Sequence, residues 1–223
     1  MRRVVVVPAY NEERTVGDVV RSLIRFADRV IVVDDGSTDG SAALAAAAGA
    51  DVVSHLMNRG LGAALGTGIS AALADNADII VTFDADGQHR AEDVARLVAP
   101  LEAGAADAAI GCRTLERNGM PVSRRTANWI GNALTAALFG TWVSDSQSGL
   151  RAFTRAAAER LDLTTDRMEV SSEIIREVGR LGLRLAEVSI RPIYTDYSLS
   201  KGQGFVVGLK TAGRLVVKRV LQK

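Results

Sequence analysis

The stretch Val30-Ile31-Val32-Val33-Asp34-Asp35-Gly36-Ser37-Thr38-Asp39-Gly40 decides the fold class. Four β-branched residues in a row predict a short strand buried on both faces, because none is polar and all pack well on a pleated surface. The run stops at two aspartates and a glycine, residues that favour turns. Asp39 then stands where a helix N-cap belongs, ahead of an alanine-rich segment ending at Gly49. Strand, polar loop and helix follow one another within residues 30–49.

The same order recurs on both sides. Val4 to Val7 form a strand stopped near Pro8, and Val16, Val19, Val20, Leu23 and Ile24 give 15–26 a helical period. Downstream, strands are expected at 51–55, 79–83 and 108–112, and helices at 62–73 and 92–101. Buried strands alternating with helices predict an α/β fold with a mostly parallel central sheet flanked by helices. Ligands of such sheets bind beyond the carboxyl ends of the strands. Loops 8–14, 34–39, 58–62 and 84–90 therefore open on one edge and gather distant residues into one site. The second half is less regular. Helices are expected at 124–139 and 170–181, strands at 149–153 and 184–190, a mobile loop at 193–204 and a terminal helix at 206–221.

Composition narrows the function. The chain has 223 residues, 48% hydrophobic and 24% charged, enough for one sizeable core. Lys plus Arg number 27 against 26 Asp plus Glu, a net charge of +1, which argues against a general nucleic-acid binder. A single cysteine, Cys112, excludes an intramolecular disulfide and suits a small core residue better than a nucleophile. The four valines after Arg3 are too few for a signal-peptide core, and no stretch approaches the ~20 apolar residues that span a bilayer. A cytoplasmic protein is expected.

Three loops carry chemistry. Asp84-Ala85-Asp86 closes the strand at 79–83, and Gln88 follows. Two carboxylates at i and i+2 suit a hard cation, Mg²⁺ or Mn²⁺, whose shell phosphate oxygens and water complete. A turn whose aspartates cap the next helix is the alternative. Of Asp34 and Asp35, one is free to accept hydrogen bonds from a ribose or a base. In Pro8-Ala9-Tyr10-Asn11-Glu12-Glu13, Tyr10 offers a ring face and Glu12 an acceptor, unless the loop merely starts a helix. His89 and His55 are expected to be structural rather than metal ligands.

Taken together, Val7-Pro8-Ala9-Tyr10-Asn11-Glu12-Glu13, Val33-Asp34-Asp35-Gly36-Ser37-Thr38-Asp39-Gly40, Asn58-Arg59-Gly60-Leu61-Gly62 and Asp84-Ala85-Asp86-Gly87-Gln88 resemble family 2 glycosyltransferases of the GT-A fold. Asp145-Ser146-Gln147-Ser148-Gly149-Leu150-Arg151-Ala152-Phe153, the segment Glu169 to Glu173 and Ser200-Lys201 are similar to the dolichol-phosphate mannose synthase subgroup. That subgroup moves a sugar from a nucleotide to a polyprenyl phosphate. The resemblance implies that Pro8, Tyr10, Glu12, Val33 and Asp35 hold base and ribose, and that Asp84, Ala85 and Asp86 lie along ribose and diphosphate. It implies that Asp86 and Gln88 ligate the metal, Arg113 contacts the donor phosphate or sugar, and Lys201 reaches the diphosphate. The arginine that members often carry shortly before the Ser-Lys pair is replaced here by Tyr194-Thr195-Asp196-Tyr197-Ser198-Leu199, with Arg191 upstream. The Gln-x-x-Arg-Trp motif of the processive synthases is absent.

A metal-dependent inverting transferase is thus expected, with a nucleotide-sugar donor and a polyprenyl phosphate acceptor. A hydroxyl acceptor needs a general base, for which Asp145 is the candidate; a lipid phosphate is already ionised and needs cations instead. Arg124, Arg125 and Arg151, with Ser148 in the same motif, are the acceptor-binding candidates. Asp145 is otherwise a buried partner for Arg151. The rival functions are a transferase acting on a hydroxyl and a nucleotide-sugar-binding protein without turnover. Residues 1–204 form the GT-A domain in this reading, and 205–223 a basic amphipathic helix with Lys210, Arg214, Lys218, Arg219 and Lys223 and no acidic residue. Such a helix either lies on an anionic membrane as a peripheral anchor at the cytoplasmic face or packs on its own domain. Trp129 and Trp142 are core residues or line a lipid-facing surface.

Overall fold

The computed structural model describes residues 1–113, 132 and 142–193. The expected helices at 124–139 and 206–221, most of the loop at 193–204, the segment 205–223, and Arg124, Arg125, Trp129 and Lys201 lie outside the described residues. The strands are β1 (Arg3–Ala9), β2 (Arg29–Asp34), β3 (Asp51–Ser54), β4 (Ile79–Thr82), β5 (Ala108–Cys112), β6 (Arg151–Thr154) and β7 (Leu185–Ser189). The helices are α1 (Val16–Leu23), α2 (Ser41–Ala47), α3 (Leu61–Ala74), α4 (Glu92–Glu102), α5 (Arg155–Ala158) and α6 (Val170–Arg180). One seven-stranded sheet runs β3-β2-β1-β4-β6-β5-β7.

All pairings are parallel except those of β6, which runs antiparallel to both β4 and β5. Its reversal matters for the site. Arg151 at the start of β6 stands opposite Thr82 and Ile110, near the carboxyl ends of β4 and β5. The chain leading into β6 therefore arrives on the same edge as the polar loops.

The alternation of β1 explains the two core layers, since successive strand side chains point to opposite faces. Val5 and Val7 pack under α1, α2 and α4, with Val20, Ala45 and Leu97. Val4 and Val6 pack under α3, α5 and α6, with Leu65, Ala157 and Ile174. All four valines are fully buried, each contributing about 1.5–3 kcal/mol relative to exposure. α3 approaches β1 so closely that a Cβ on Gly68 would collide with Val6, so only glycine serves there. The N-cap of α2 is Gly40 rather than Asp39. Asp39, one residue earlier, does the equivalent work by accepting the Ser41 amide at 3.0 Å. Among the described residues no helix is long and apolar enough to cross a membrane.

Candidate active site

The loop after β4 is built around two carboxylates. Asp84 Oδ2 lies 3.0 Å from His89 Nε2, and His89 is buried edge-on against Phe83 at 5.6 Å between ring centroids. On its other side Asp84 lies against the Gly149 backbone, where any Cβ would collide with the carboxylate. Thr82 Oγ1 fixes that approach by donating to Gly149 O at 2.7 Å. Desolvation acts to raise the pKa of Asp84. The His89 hydrogen bond and the charges of His89, Arg151 and Arg113 outweigh it and hold the carboxyl below its ordinary range.

Asp86 is shifted the other way. Its oxygens accept from the Gln88 amide at 3.0 Å and from Gln88 Nε2 at 2.7 Å. Burial, and then the charge of Asp84, push its pKa up to about 6. A carboxylate destabilised by a neighbouring carboxylate is where a divalent cation is favoured. The donor set is hard oxygen: Asp86, the amide oxygen of Gln88 and the nearby Asp84. Among the described residues no three His, Cys, Asp or Glu side chains converge to form a closed cage. An open site of few carboxylates fits Mg²⁺ or Mn²⁺ completed by phosphate oxygens. Asp86 and Gln88 therefore fit the metal expected of them.

The loop after β2 is organised by Asp35. This carboxylate is buried and accepts the Arg59 amide at 2.9 Å and the Gly60 amide at 2.7 Å. It also meets His55 Nδ1 at 2.7 Å, while His55 Nε2 reaches Thr67 Oγ1 at 2.9 Å. His55 is structural, as its place at a strand end suggests. Across the edge, Asn11 and Glu12 are tied to the same loop, their amides donating to Ser37 Oγ and Ser41 Oγ. Tyr10 stays exposed and keeps its ring face available.

A second charged cluster joins β5 to β6. Asp145 is wholly buried and accepts three hydrogen bonds from Arg113: from Nε at 2.7 Å, Nη2 at 2.9 Å and the amide at 3.1 Å. Its hydrogen-bonded partner is thus Arg113 rather than Arg151. Arg151 is 2% exposed and donates through Nη2 to Ser146 O at 3.2 Å. Burial draws its pKa down to about 10, against the upward pull of Asp84 and Asp145. Among the described residues Arg151 Nε and the buried Ser148 Oγ have no hydrogen-bond partner. Asn132 braces the motif by accepting both the amide and the hydroxyl of Ser146. Cys112 is buried, and burial, then Glu187 and Asp145, push its thiol well above the ordinary range, so it is no nucleophile.

The carboxyl edge thus collects Pro8, Tyr10, Glu12, Val33, Asp35, Asp84, Ala85, Asp86, Gln88, Arg113, Asp145, Ser148 and Arg151. A pocket there is lined by Pro8, Leu61, Thr82, Asp84, Gly149 and Arg151. Sequence reasoning did not anticipate the His89 grip on Asp84 or the Asn132 brace, and it singled out the segment Glu169 to Glu173 without a role for Glu173. The last is a buried α6 carboxylate that accepts from Thr164 and Thr165. A histidine right behind the Asp-x-Asp loop was a visible signal; nothing near Asn132 marked it.

The sequence matches the family model Glycosyl transferase family 2 over residues 4–162. It is 34% identical to UDP-N-acetylglucosamine–dolichyl-phosphate N-acetylglucosaminyltransferase of Methanococcus voltae, over 96% of this chain and 95% of that protein. It is 31% identical to undecaprenyl-phosphate mannosyltransferase of Micrococcus luteus, over 93% of this chain and 90% of that protein. Among solved structures, glucosyl-3-phosphoglycerate synthase from Mycobacterium tuberculosis superposes with a TM-score of 0.76 at 26% identity. That match covers 99% of this chain and 79% of that one, and the structure holds Mn²⁺, uridine diphosphate and glucosyl-3-phosphoglycerate.

Proposed function

The chain belongs to glycosyl transferase family 2, in the subgroup similar to dolichol-phosphate mannose synthase, and from that premise we propose that it transfers a sugar from a nucleotide sugar to a polyprenyl phosphate. The carrying observation is the state of Asp145. Buried, and bound three times by Arg113, it is poorly placed to take a proton from a hydroxyl acceptor. Asp84 is likewise engaged by His89, and Asp35 by loop amides. A phosphate acceptor brings its own negative charge and needs no base.

The chemistry is a single inverting displacement. A phosphate oxygen of the acceptor attacks the anomeric carbon, and the bond from that carbon to the donor diphosphate breaks. Nucleoside diphosphate leaves with the electron pair, and no proton moves. Asp86 and Gln88 would hold Mg²⁺ or Mn²⁺, which supplies charge stabilisation to the departing diphosphate. Pro8, Tyr10, Glu12, Val33 and Asp35 flank base and ribose, with Asp84 and Ala85 along the ribose and diphosphate. Arg113, oriented by Asp145, presents its guanidinium to donor phosphate or sugar, and Lys201 completes the diphosphate contacts. On the acceptor side Arg124, Arg125 and Arg151 would supply the positive charge that binds a lipid phosphate, and Ser148 a neutral hydroxyl donor. In this reading the enzyme works peripherally at the cytoplasmic face of a membrane, and 205–223 help to attach it.

A second reading, transfer to a hydroxyl acceptor, has one observation behind it: the solved relative is named a glucosyl-3-phosphoglycerate synthase. A screen of nucleotide sugars against undecaprenyl and dolichyl phosphates tests the first reading, with and without chelator. Transfer is expected to stop in excess chelator, return with Mg²⁺ or Mn²⁺, and vanish in a folded Asp86→Ala variant. Full transfer in excess chelator overturns the metal assignment, and transfer to no polyprenyl phosphate overturns the acceptor.

A further inference from the structure

We infer that Asp93 is a positioning residue for the metal site: it seats the exit of β7, residues 190–193, as a strut against the backbone of Gln88. The inference rests on the assignment of Mg²⁺ or Mn²⁺ to Asp86 and Gln88. A neutral amide oxygen attracts a cation less than a carboxylate does, so the contribution of Gln88 depends on its being held in place. Gly87, at φ +74°, turns the chain so that the Gln88 amide donates to Asp86 Oδ1 and its side chain to Asp86 Oδ2. Both of those bonds lie within the loop. Among the described residues, the one hydrogen bond that ties Asp86, Gly87 or Gln88 to another part of the chain runs from the Ile193 amide to Gln88 O, at 2.8 Å.

The strut is fixed at its far end and stiff along its length. Ile190 is fully buried in the core layer that holds Val5 and Val7. Its amide donates to Cys112 O at 3.2 Å, which continues the pairing of β7 with β5. Its side chain packs on Gly111, where a Cβ would come within 3.0 Å of it. Pro192 has a fixed φ and keeps Arg191 out of the helical region.

The amides of this stretch are all accounted for. Pro192 has none, Ile193 uses its own on Gln88, and the Arg191 amide donates to Asp93 Oδ2 at 3.3 Å. Asp93 is 4% exposed, stands in the first turn of α4 and is itself held by Arg96, whose Nη1 donates to Oδ1 at 3.1 Å. It follows Gln88 closely in sequence, so the metal loop and the start of α4 grip the same strut at two points. Without the Asp93 carboxylate the Arg191 amide loses its acceptor, and Ile193 alone keeps the strut on Gln88. Outer partners that orient a metal ligand typically account for about 10–100-fold in metal affinity.

The test is Mn²⁺ titrated into the full chain and followed by electron paramagnetic resonance, counting the binding that Asp86→Ala removes. Asp93→Ala should weaken that binding about 10–100-fold in a protein that stays folded. Asp93→Asn keeps an acceptor oxygen for the Arg191 amide and should bind close to wild type. Pro192→Gly leaves Asp93 in place but loosens the strut, and should weaken Mn²⁺ in the same direction. Arg96→Ala removes the half-exposed partner of Asp93 without touching the strut and should bind as wild type. Hydrogen exchange at the Ile193 amide, measured without metal, should accelerate in Asp93→Ala and Pro192→Gly but not in Arg96→Ala. Should Asp93→Ala fail to fold, Pro192→Gly carries the test. Folded variants of Asp93 and Pro192 that bind Mn²⁺ as wild type overturn the strut and leave the metal assignment standing. A wild type that binds no more Mn²⁺ than Asp86→Ala overturns that assignment, and the strut's role with it.

Discussion

At the scale of single residues, the site depends on backbone held close to carboxylates. Asp84 occupies the space that a Cβ on Gly149 would need. Gly149→Ala should therefore displace the carboxylate and cost about 10²-fold in kcat/KM, the usual effect of a shift near 1 Å at a reacting centre. Gly66→Ala, in α3 with open space around it, is the control. It should keep full activity and gain up to about 1 kcal/mol of stability from helix propensity. Steady-state kinetics and thermal melts on the two variants check both outcomes; equal activity would remove Asp84 from the account. The Asp-x-Asp pair, Gln88 and Asp35 were legible because carboxylates at strand ends are chemically conspicuous. The Arg113–Asp145 pair was not, since it joins residues from different loops through a sheet reversal that local spacing does not encode.

At the scale of elements, α6 anchors the segment that meets the start of α3. Glu173 is buried and accepts from the amides and hydroxyls of Thr164 and Thr165. Next to them the Gly62 amide donates to Asp166 O at 2.8 Å. Burial acts to raise the Glu173 pKa, but the threonine hydrogen bonds outweigh it and leave the carboxyl below 4.5. A depressed folded-state pKa means that this stabilisation is complete above about pH 4.5 and is lost as pH falls through the lower folded value. Amide exchange at Thr164 and Thr165 should therefore stay protected at neutral pH and accelerate relative to the β1 amides in strong acid. Glu173→Gln should show weakened protection already at pH 7, with about 1–3 kcal/mol lost. Protection that is equal in the variant and wild type would contradict this role. The strands and helices of the first half were legible from apolar runs and helical periods. α5 was not, because four residues give no period.

At the scale of the whole molecule, the α/β class and the shared edge followed from strands alternating with helices. The sheet order did not, because a buried run looks the same in a parallel and an antiparallel strand. The reversal of β6 is what brings Ser148, Gly149 and Arg151 to the edge where β4 delivers Asp84 and Asp86. Asp35, Asp84 and Asp145 are committed to holding structure and Asp86 is assigned to the metal in this reading, which suits an acceptor that arrives already charged. The direct measurement compares transfer to a short polyprenyl phosphate and to the matching polyprenol, in wild type and in Asp145→Asn. Transfer to the phosphate alone is expected, with Asp145→Asn losing only what a weakened hold on Arg113 costs. Transfer to the alcohol but not the phosphate, falling ~10²–10⁴-fold in Asp145→Asn as loss of a general base requires, would contradict the account.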